Sequence, residues 1–133
     1  MALVVDSSVA VSWLIPDEDS DLSRRALALT FAEGLIGPRL LWYEIRNVLV
    51  VNEHRGRLLP HETERGLSAF SDLEPLFFDD HDEAELLRLS RRYKLTVYDA
   101  AYLELASRLR QPLATFDRSL GAAARAEGVE VIG

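Results

Sequence analysis

The sequence predicts an α/β protein in which helices form layers on both sides of a central parallel sheet. Short apolar runs alternate along the chain with longer segments in which apolar residues recur at helical spacing. The runs end at acidic or small polar residues, as strands buried on both faces do. The 133 residues, of which 48% are hydrophobic, suit one domain that spans positions 1–133.

The first part of the chain is predicted to contain two strands and four helices. Its first strand ends at an acid and two serines; Ser7 or Ser8 can cap the helix that follows, and Pro16 stops that helix. Gly34 ends the second helix, and Pro60 opens the fourth. The predicted strands are 2–5 and 35–38, and the predicted helices are 9–15, 22–34, 40–56 and 60–73.

The rest of the chain is predicted to contain three strands and three helices. The first of these helices is amphipathic, with Leu86 and Leu89 on its apolar side. Asp99 opens the second helix, and Gly128 ends the third. The predicted strands are 76–78, 113–115 and 129–132, and the predicted helices are 82–93, 100–109 and 119–127.

Four acidic residues lie at the edges of apolar segments, where a carboxylate is costly unless it is paired or binds a metal. They are Asp6, Glu44, Asp99 and Asp117. Asp6 and Asp117 come just after predicted strands, and sites in parallel sheets form at the carboxyl ends of the strands. We therefore predict that the fold brings the four carboxylates together as a catalytic site.

Each of these acids also has an ordinary structural interpretation. Asp6 and Asp117 can cap the helices that follow them, and Asp99 can complement the positive end of a helix dipole. Glu44 can face solvent from its helix, although its apolar neighbours favour a partly enclosed position.

Three polar residues near the acids are predicted to support the site. Ser8 and Thr115 offer hydroxyls that can orient a carboxylate or a water, with helix or turn capping as the alternative. Asn47 lies three residues after Glu44 on the same helical face, where it can hydrogen-bond that carboxylate or be a polar interior residue.

Convergence of the four carboxylates predicts a divalent cation. Two unit charges about 4 Å apart repel by roughly 4 kcal/mol at an effective dielectric constant near 20. Partial protonation or a bound cation can relieve that repulsion. Oxygen ligands without cysteine or clustered histidine favour Mg²⁺ or Mn²⁺ over zinc. Such an ion can activate water for attack on a phosphodiester.

The composition excludes several other classes of site. The net charge is −7, from 15 basic and 22 acidic residues, so a broad basic face for nucleic acid is not expected. The absence of cysteine excludes disulfides, thiolate catalysis and zinc–thiolate sites. The apolar run before Asp6 is too short for a signal peptide or membrane span, so we expect a cytoplasmic protein without a membrane partner.

At these residues the sequence resembles the PIN-domain nucleases and, within them, the VapC-type ribonuclease toxins of toxin–antitoxin pairs. The resemblance starts with the strand into Asp6-Ser7-Ser8 and continues through Glu44 and Asn47. It is strongest in 93–106, which contains Tyr-Asp-Ala-Ala-Tyr, and it ends with Leu-Ala-Thr-Phe-Asp at 113–117. It therefore covers nearly the whole chain.

The resemblance implies a compact PIN-like α/β/α domain and endonucleolytic cleavage of RNA. It implies Asp6, Glu44, Asp99 and Asp117 as the site for Mg²⁺ or Mn²⁺. It also implies a homodimer and a cognate antitoxin that forms a hetero-oligomer with the toxin and covers the active-site groove. Many relatives carry a second acid just after the fourth one; here Arg118 and Ser119 follow Asp117, which puts a second metal in doubt.

Other functions remain open at this point. One alternative is a PIN-like scaffold that binds RNA or protein without cutting, and another is an RNA-processing nuclease that is not a toxin. Receiver domains and haloacid-dehalogenase-type phosphatases also place aspartates at strand ends. The phosphatases need a second acid where this chain has Ser8, and the receivers need a later lysine for which Lys94 is poorly placed.

Overall fold

A parallel five-stranded sheet forms the centre of the protein. The computed structural model describes residues 1–132; Gly133, the last residue of the predicted domain, lies outside the described residues. The strands are β1 (Leu3–Val5), β2 (Leu35–Pro38), β3 (Leu76–Phe78), β4 (Leu113–Ala114) and β5 (Val131–Ile132). Their order in the sheet is β3-β2-β1-β4-β5, with every neighbouring pair parallel.

Seven helices accompany the sheet within residues 1–132. They are α1 (Ser7–Ser12), α2 (Asp21–Glu33), α3 (Arg39–His54), α4 (Pro60–Ser71), α5 (Glu83–Tyr93), α6 (Val97–Leu109) and α7 (Arg118–Ala126). Helix α6 packs on β1, β2 and β4, and α5 packs on α6; α2 contacts β1 and β5, and α3 contacts β2 and β3. This arrangement confirms the predicted three-layer α/β/α class.

The predicted elements are all present, and their ends differ from the prediction by at most three residues. Two differences concern the acids. Helix α1 starts at Ser7 because Asp6, rather than a serine, accepts the N–H of Val9 as N-cap. Helix α6 starts at Val97 because Thr96 is its N-cap, so Asp99 lies inside the first turn and does not open the helix.

Gly37 allows α3 to begin directly at the end of β2. A Cβ atom on residue 37 would lie 2.7 Å from Cδ2 of Leu41, which is fully buried one turn into α3. Glu44 lies three residues after Leu41 in α3, so the close approach of this helix to the strand determines where the Glu44 carboxylate lies.

A buried ion pair ties α6 to the start of α5. The Glu104 side chain is fully buried, and its Oε1 accepts the N–H of Asp82 at 2.5 Å and Nε of Arg108 at 3.0 Å. Arg108 also contacts Asp80 at 3.1 Å. The Glu104 carboxylate is thus compensated by one cation and one backbone donor.

We expect Arg108→Ala to lower the free energy of unfolding by about 2–3 kcal/mol, because it leaves the Glu104 carboxylate buried without its cation. Urea denaturation measures the change. Arg91→Ala is the matched control, since Arg91 is exposed on α5 and forms no ion pair within residues 1–132. Equal changes for the two variants would contradict the stabilising role of this pair.

No helix in the described part of the chain combines the length and the hydrophobicity needed to cross a bilayer.

Candidate active site

The acidic residues gather where the strand order changes direction. Strands β2 and β3 follow β1 on one side, and β4 and β5 lie on the other, so β1 and β4 flank the switch point. Crevices at such switch points, outside the carboxyl ends of the strands, are the usual ligand sites of open parallel sheets. Asp6 directly follows β1, and Asp117 follows β4 after two residues.

Asp6 is held rigidly in this crevice. Its side chain is 6% exposed, and its Oδ1 accepts the Ser8 hydroxyl at 2.6 Å and the Val9 N–H at 3.1 Å. The Thr115 hydroxyl donates to the other oxygen, Oδ2. Asp6 therefore caps α1 and is oriented toward the site at the same time, so the capping interpretation and the site prediction are compatible.

Ser8 and Thr115 connect the ends of the two central strands. The N–H of Phe116 donates to the Ser8 hydroxyl oxygen at 3.1 Å, and the N–H of Asp117 donates to Thr115 Oγ1 at 2.9 Å. Each hydroxyl oxygen thus accepts a hydrogen bond from a backbone N–H in the loop after β4, and each hydroxyl donates a hydrogen bond to Asp6. The two residues lie where support of the acidic site was predicted.

Glu44 is held by a residue that the sequence analysis did not identify. The hydroxyl of Tyr102, a side chain only 1% exposed, donates to Glu44 Oε1 at 2.5 Å. Tyr102 lies three residues after Asp99, so its place on the same helical face was the signal in the sequence. Asn47 is exposed, and no hydrogen bond joins it to Glu44 within residues 1–132.

Asp99 and Asp117 complete the acidic group from two helix starts. Asp99 is half-buried in the first turn of α6, and its N–H donates to the capping Thr96 hydroxyl at 3.0 Å. Asp117 is the N-cap of α7; its Oδ1 accepts the N–H of Leu120 at 2.9 Å, and its side chain is exposed. The bond of Asp99 to Thr96 uses only its backbone N–H, and the capping bond of Asp117 uses only Oδ1 of its carboxylate.

The carboxylates act on one another electrostatically. Burial raises the pKa of Asp6 above its usual range, and the Asp99 charge raises it further against the lowering effect of the hydrogen bonds. Burial also raises the pKa of Glu44, with smaller contributions from Asp99 and Asp6. The pKa of Asp99 is raised by burial first and by the charge of Asp117 second. Asp99 is therefore coupled to each of the other three acids.

The side chains do not form a closed coordination sphere. Within residues 1–132, no group of three or more aspartate, glutamate or histidine side chains converges closely enough to hold a metal ion. The prediction that the four carboxylates form one metal site therefore stays a prediction. In the positions observed, the oxygens of Asp6 and Glu44 accept hydrogen bonds from hydroxyl groups.

The donor set nevertheless suits a hard divalent cation. None of the four carboxylates forms an ion pair with an arginine, lysine or histidine in the described chain. Partly buried carboxylates with raised pKa values and no cationic partner gain most from a bound ion of opposite charge. The residues present therefore fit Mg²⁺ or Mn²⁺ in chemistry.

We expect Tyr102→Phe to weaken the apparent affinity for Mn²⁺ by about tenfold, the effect typical of losing a group that orients a ligand. The phenyl ring keeps the packing, but Glu44 loses its only hydroxyl donor from α6. Isothermal titration calorimetry measures the affinity. Tyr98→Phe is the control, because Tyr98 is exposed one turn earlier on the same helix. Unchanged Mn²⁺ affinity in Tyr102→Phe would contradict a positioning role.

Comparisons with known proteins agree with this fold. The PIN domain family model matches residues 3–126. The chain is 35% identical over 127 residues to Ribonuclease VapC3 of Pyrobaculum aerophilum, a match that covers 90% of this chain and 92% of that protein. The crystal structure of PAE2754 from the same organism shares the fold, with a TM-score of 0.75 and 24% identity over 99% of this chain and 90% of that one.

These matches confirm the resemblance found in the strand before Asp6 and in the segment 93–106, because the family model spans both. The family model matches most of the chain, and the similar ribonuclease aligns along nearly its whole length. Both results assign the chain to the same family. The chain belongs to the PIN-domain family.

Proposed function

We propose that this protein is an endoribonuclease that hydrolyses RNA phosphodiester bonds at Asp6, Glu44, Asp99 and Asp117 with Mg²⁺ or Mn²⁺, as the toxin of a toxin–antitoxin pair. One observation carries the proposal: four carboxylates without cationic partners gather at the switch point of the sheet. The similarity to a protein named ribonuclease supports RNA as the substrate.

The chain's own residues supply the geometry of the reaction. Asp6, fixed by three hydrogen bonds, and Glu44, fixed by Tyr102, would hold the ion together with Asp99. When bound, the ion supplies Lewis-acid polarisation of a phosphodiester oxygen and lowers the pKa of water. Asp117 lies at the exposed rim of the crevice, where its free oxygen can orient a water or extend the ligand set.

An acidic crevice also suits a protein inhibitor with a basic side chain. The substrate backbone is negatively charged, so the empty carboxylate cluster repels RNA and attracts a cation. An antitoxin that places an arginine or lysine among these acids would neutralise them and exclude the metal. The exposed apolar side chains Leu59 and Leu76 are candidates for the homodimer contact that we also propose.

Cleavage of total RNA by the purified protein tests the proposed reaction. We expect cleavage with Mg²⁺ or Mn²⁺, and no cleavage in EDTA or with Asp6→Asn. Sequencing of the fragment ends then identifies the RNA target. If the protein neither cuts RNA nor binds either metal in calorimetry, the nuclease proposal is wrong and a non-cleaving PIN-like scaffold takes its place.

The growth of cells after expression of the protein is induced tests the toxin role separately from the cleavage assay. We expect expression of the chain to arrest growth, Asp6→Asn to restore it, and co-expression with the antitoxin to restore it as well. An active nuclease whose expression leaves growth unaffected would instead be an RNA-processing enzyme.

A further inference from the structure

A cleft adjoins the acidic crevice and is not used by the carboxylates. Its volume is about 550 Å³, which lies within the range of roughly 300–1,000 Å³ that is typical of sites for small ligands. Helix α1, the loop before α2 and helix α3 form its walls, and Phe116 lies at its edge. Ser7 and Ser8, which follow Asp6, line the side of the cleft that faces the metal site.

Phe116 presents an aromatic surface directly beside the proposed reaction centre. Its side chain is 43% exposed, although apolar Val11 and Val48 line the same cleft. Its N–H donates to the Ser8 hydroxyl, which in turn donates to Asp6, so one hydroxyl separates the Phe116 backbone from the first acid. The backbone of Phe116 is therefore tied to the residue that also contacts Asp6, and its exposed ring can contact a ligand.

Because the protein is acidic, an aromatic surface can supply affinity for RNA that its charge does not. A net charge of −7 and an acidic crevice give the phosphate backbone little general attraction. Stacking of bases on aromatic rings is insensitive to that charge, and it is a common source of affinity for single strands. A nucleotide next to the cleaved bond can obtain its affinity from this cleft.

The polar rim of the cleft offers acceptors. Glu18 and Asp19 both line it; Asp19 is paired with Arg24 at 2.5 Å, whereas Glu18 has no ion pair within residues 1–132. An ionised carboxylate only accepts hydrogen bonds. The Glu18 carboxylate can accept a hydrogen bond from the exocyclic amino group of cytosine, adenine or guanine. It repels the two carbonyl oxygens that flank the N3–H of uracil.

We propose that this cleft binds one unpaired, amino-bearing nucleobase of the RNA beside the cleaved phosphodiester, with Phe116 stacking on the base and Glu18 accepting its amino hydrogen. The proposal rests on the proposed ribonuclease function and adds a substrate class to it: single-stranded RNA with cytosine, adenine or guanine, rather than uracil, at this position.

Fluorescence anisotropy of labelled oligo(C) and oligo(U) RNA tests the proposal. Ca²⁺ replaces Mg²⁺ so that binding is measured on intact RNA. The two oligomers have rings of equal size and differ in the amino or carbonyl group at position 4 and in the protonation of N3, so the Glu18→Gln variant is needed to assign the difference in affinity to Glu18. We expect the protein to bind oligo(C) more tightly than oligo(U), and Glu18→Gln to reduce that difference, because a glutamine amide both donates and accepts.

Substitutions of phenylalanine test the stacking. We expect Phe116→Ala to raise the dissociation constant for oligo(C) by about tenfold, within the range observed for loss of one stacking ring. Phe116→Tyr should retain the affinity. Phe31→Ala is the matched control, because Phe31 is 73% exposed on α2 and lies outside the cleft.

The binding assay separates this proposal from the nuclease proposal. RNA binding that depends on Phe116, in a protein that neither cuts RNA nor binds Mg²⁺ or Mn²⁺, would support the base site and refute the nuclease. Cleavage together with equal affinities of Phe116→Ala, Phe31→Ala and the unaltered protein would refute the base site alone. In that case the cleft would belong to a protein segment, from the antitoxin or from a second copy of the chain.

Discussion

Asp99→Asn is expected to reduce RNA cleavage by on the order of a thousandfold or more, with the fold intact. After burial, the charge of Asp99 contributes to the raised pKa values of Asp6 and Glu44, and the charge of Asp117 contributes to the raised pKa of Asp99, so its loss affects the whole acidic group. The substitution keeps the size of the side chain and the backbone bond of residue 99 to the capping Thr96, and it removes the charge. Single-turnover cleavage of a defined RNA fragment measures the rate.

The same substitution is expected to raise the melting temperature of the metal-free protein at neutral pH. Burial and like charge both disfavour the ionised form of Asp99 in the folded state, so its removal relieves a destabilising charge. A variant that loses activity and gains stability indicates a carboxylate that is kept for function. Thermal melting followed by circular dichroism measures the change in melting temperature.

Asp72→Asn is the matched control for this experiment. Asp72 is exposed at the end of α4, and no side-chain hydrogen bond of its carboxylate is present in the described chain. Its substitution should change neither cleavage nor the melting temperature measurably. If Asp99→Asn cleaved RNA as fast as Asp72→Asn, the assignment of the site to the four acids would be wrong.

Addition of Mn²⁺ is expected to raise the melting temperature at pH 7.5 by about 8 °C when its concentration is a hundred times its dissociation constant. At that ratio a ligand that binds only the folded state adds about 2.7 kcal/mol to the free energy of unfolding. A domain of this size shifts its melting temperature by roughly 3 °C for each kcal/mol. Thermal melting in Mn²⁺ and in EDTA measures the difference.

The Mn²⁺ effect is expected to weaken as the pH falls from 7.5 to 4, because raised pKa values make the ligands easier to protonate and protons compete with the metal. The folded-state pKa values of Asp6, Glu44 and Asp99 lie above their ordinary values of 3.8 and 4.5. The folded protein therefore binds more protons than the unfolded chain between the ordinary and the raised values. In that window the metal-free protein loses stability as pH rises, whereas Mn²⁺ binding gains strength.

The Asp99→Asn variant provides the control for the metal effect. Its melting temperature should rise less with Mn²⁺ at pH 7.5 than that of the unaltered protein, while Asp72→Asn should respond fully. A rise that is equal at pH 4 and pH 7.5, or equal in Asp99→Asn and the unaltered protein, would place the metal elsewhere on the surface.

Several features of the fold and site follow from short stretches of sequence. The apolar run before Asp6 and the run before Phe116 each define a buried strand, because continuous hydrophobicity over a few residues leaves no polar face. The prediction that Asp117 could cap a helix is confirmed by its bond to the N–H of Leu120, since capping involves residues only three positions apart.

Partners far apart in the sequence could not be predicted in the same way. Thr115 donates to Asp6 across 109 positions, and Tyr102 donates to Glu44 across 58. Sequence placed Thr115 near one acid by adjacency and Tyr102 on the helical face of Asp99, but it did not specify which polar residue contacts Glu44. That choice depends on how α6 packs against α3, which no local pattern specifies.

The sequence by itself determined the α/β class, the family, and the four carboxylates at the ends of apolar segments, because hydrophobic periodicity and caps are local properties of the chain. Only the tertiary structure decided that strand order places β1 beside β4, which donors hold each carboxylate, and that Phe116 lines a cleft. Those features arise from contacts between distant segments, whose geometry is set by the packing of the whole core.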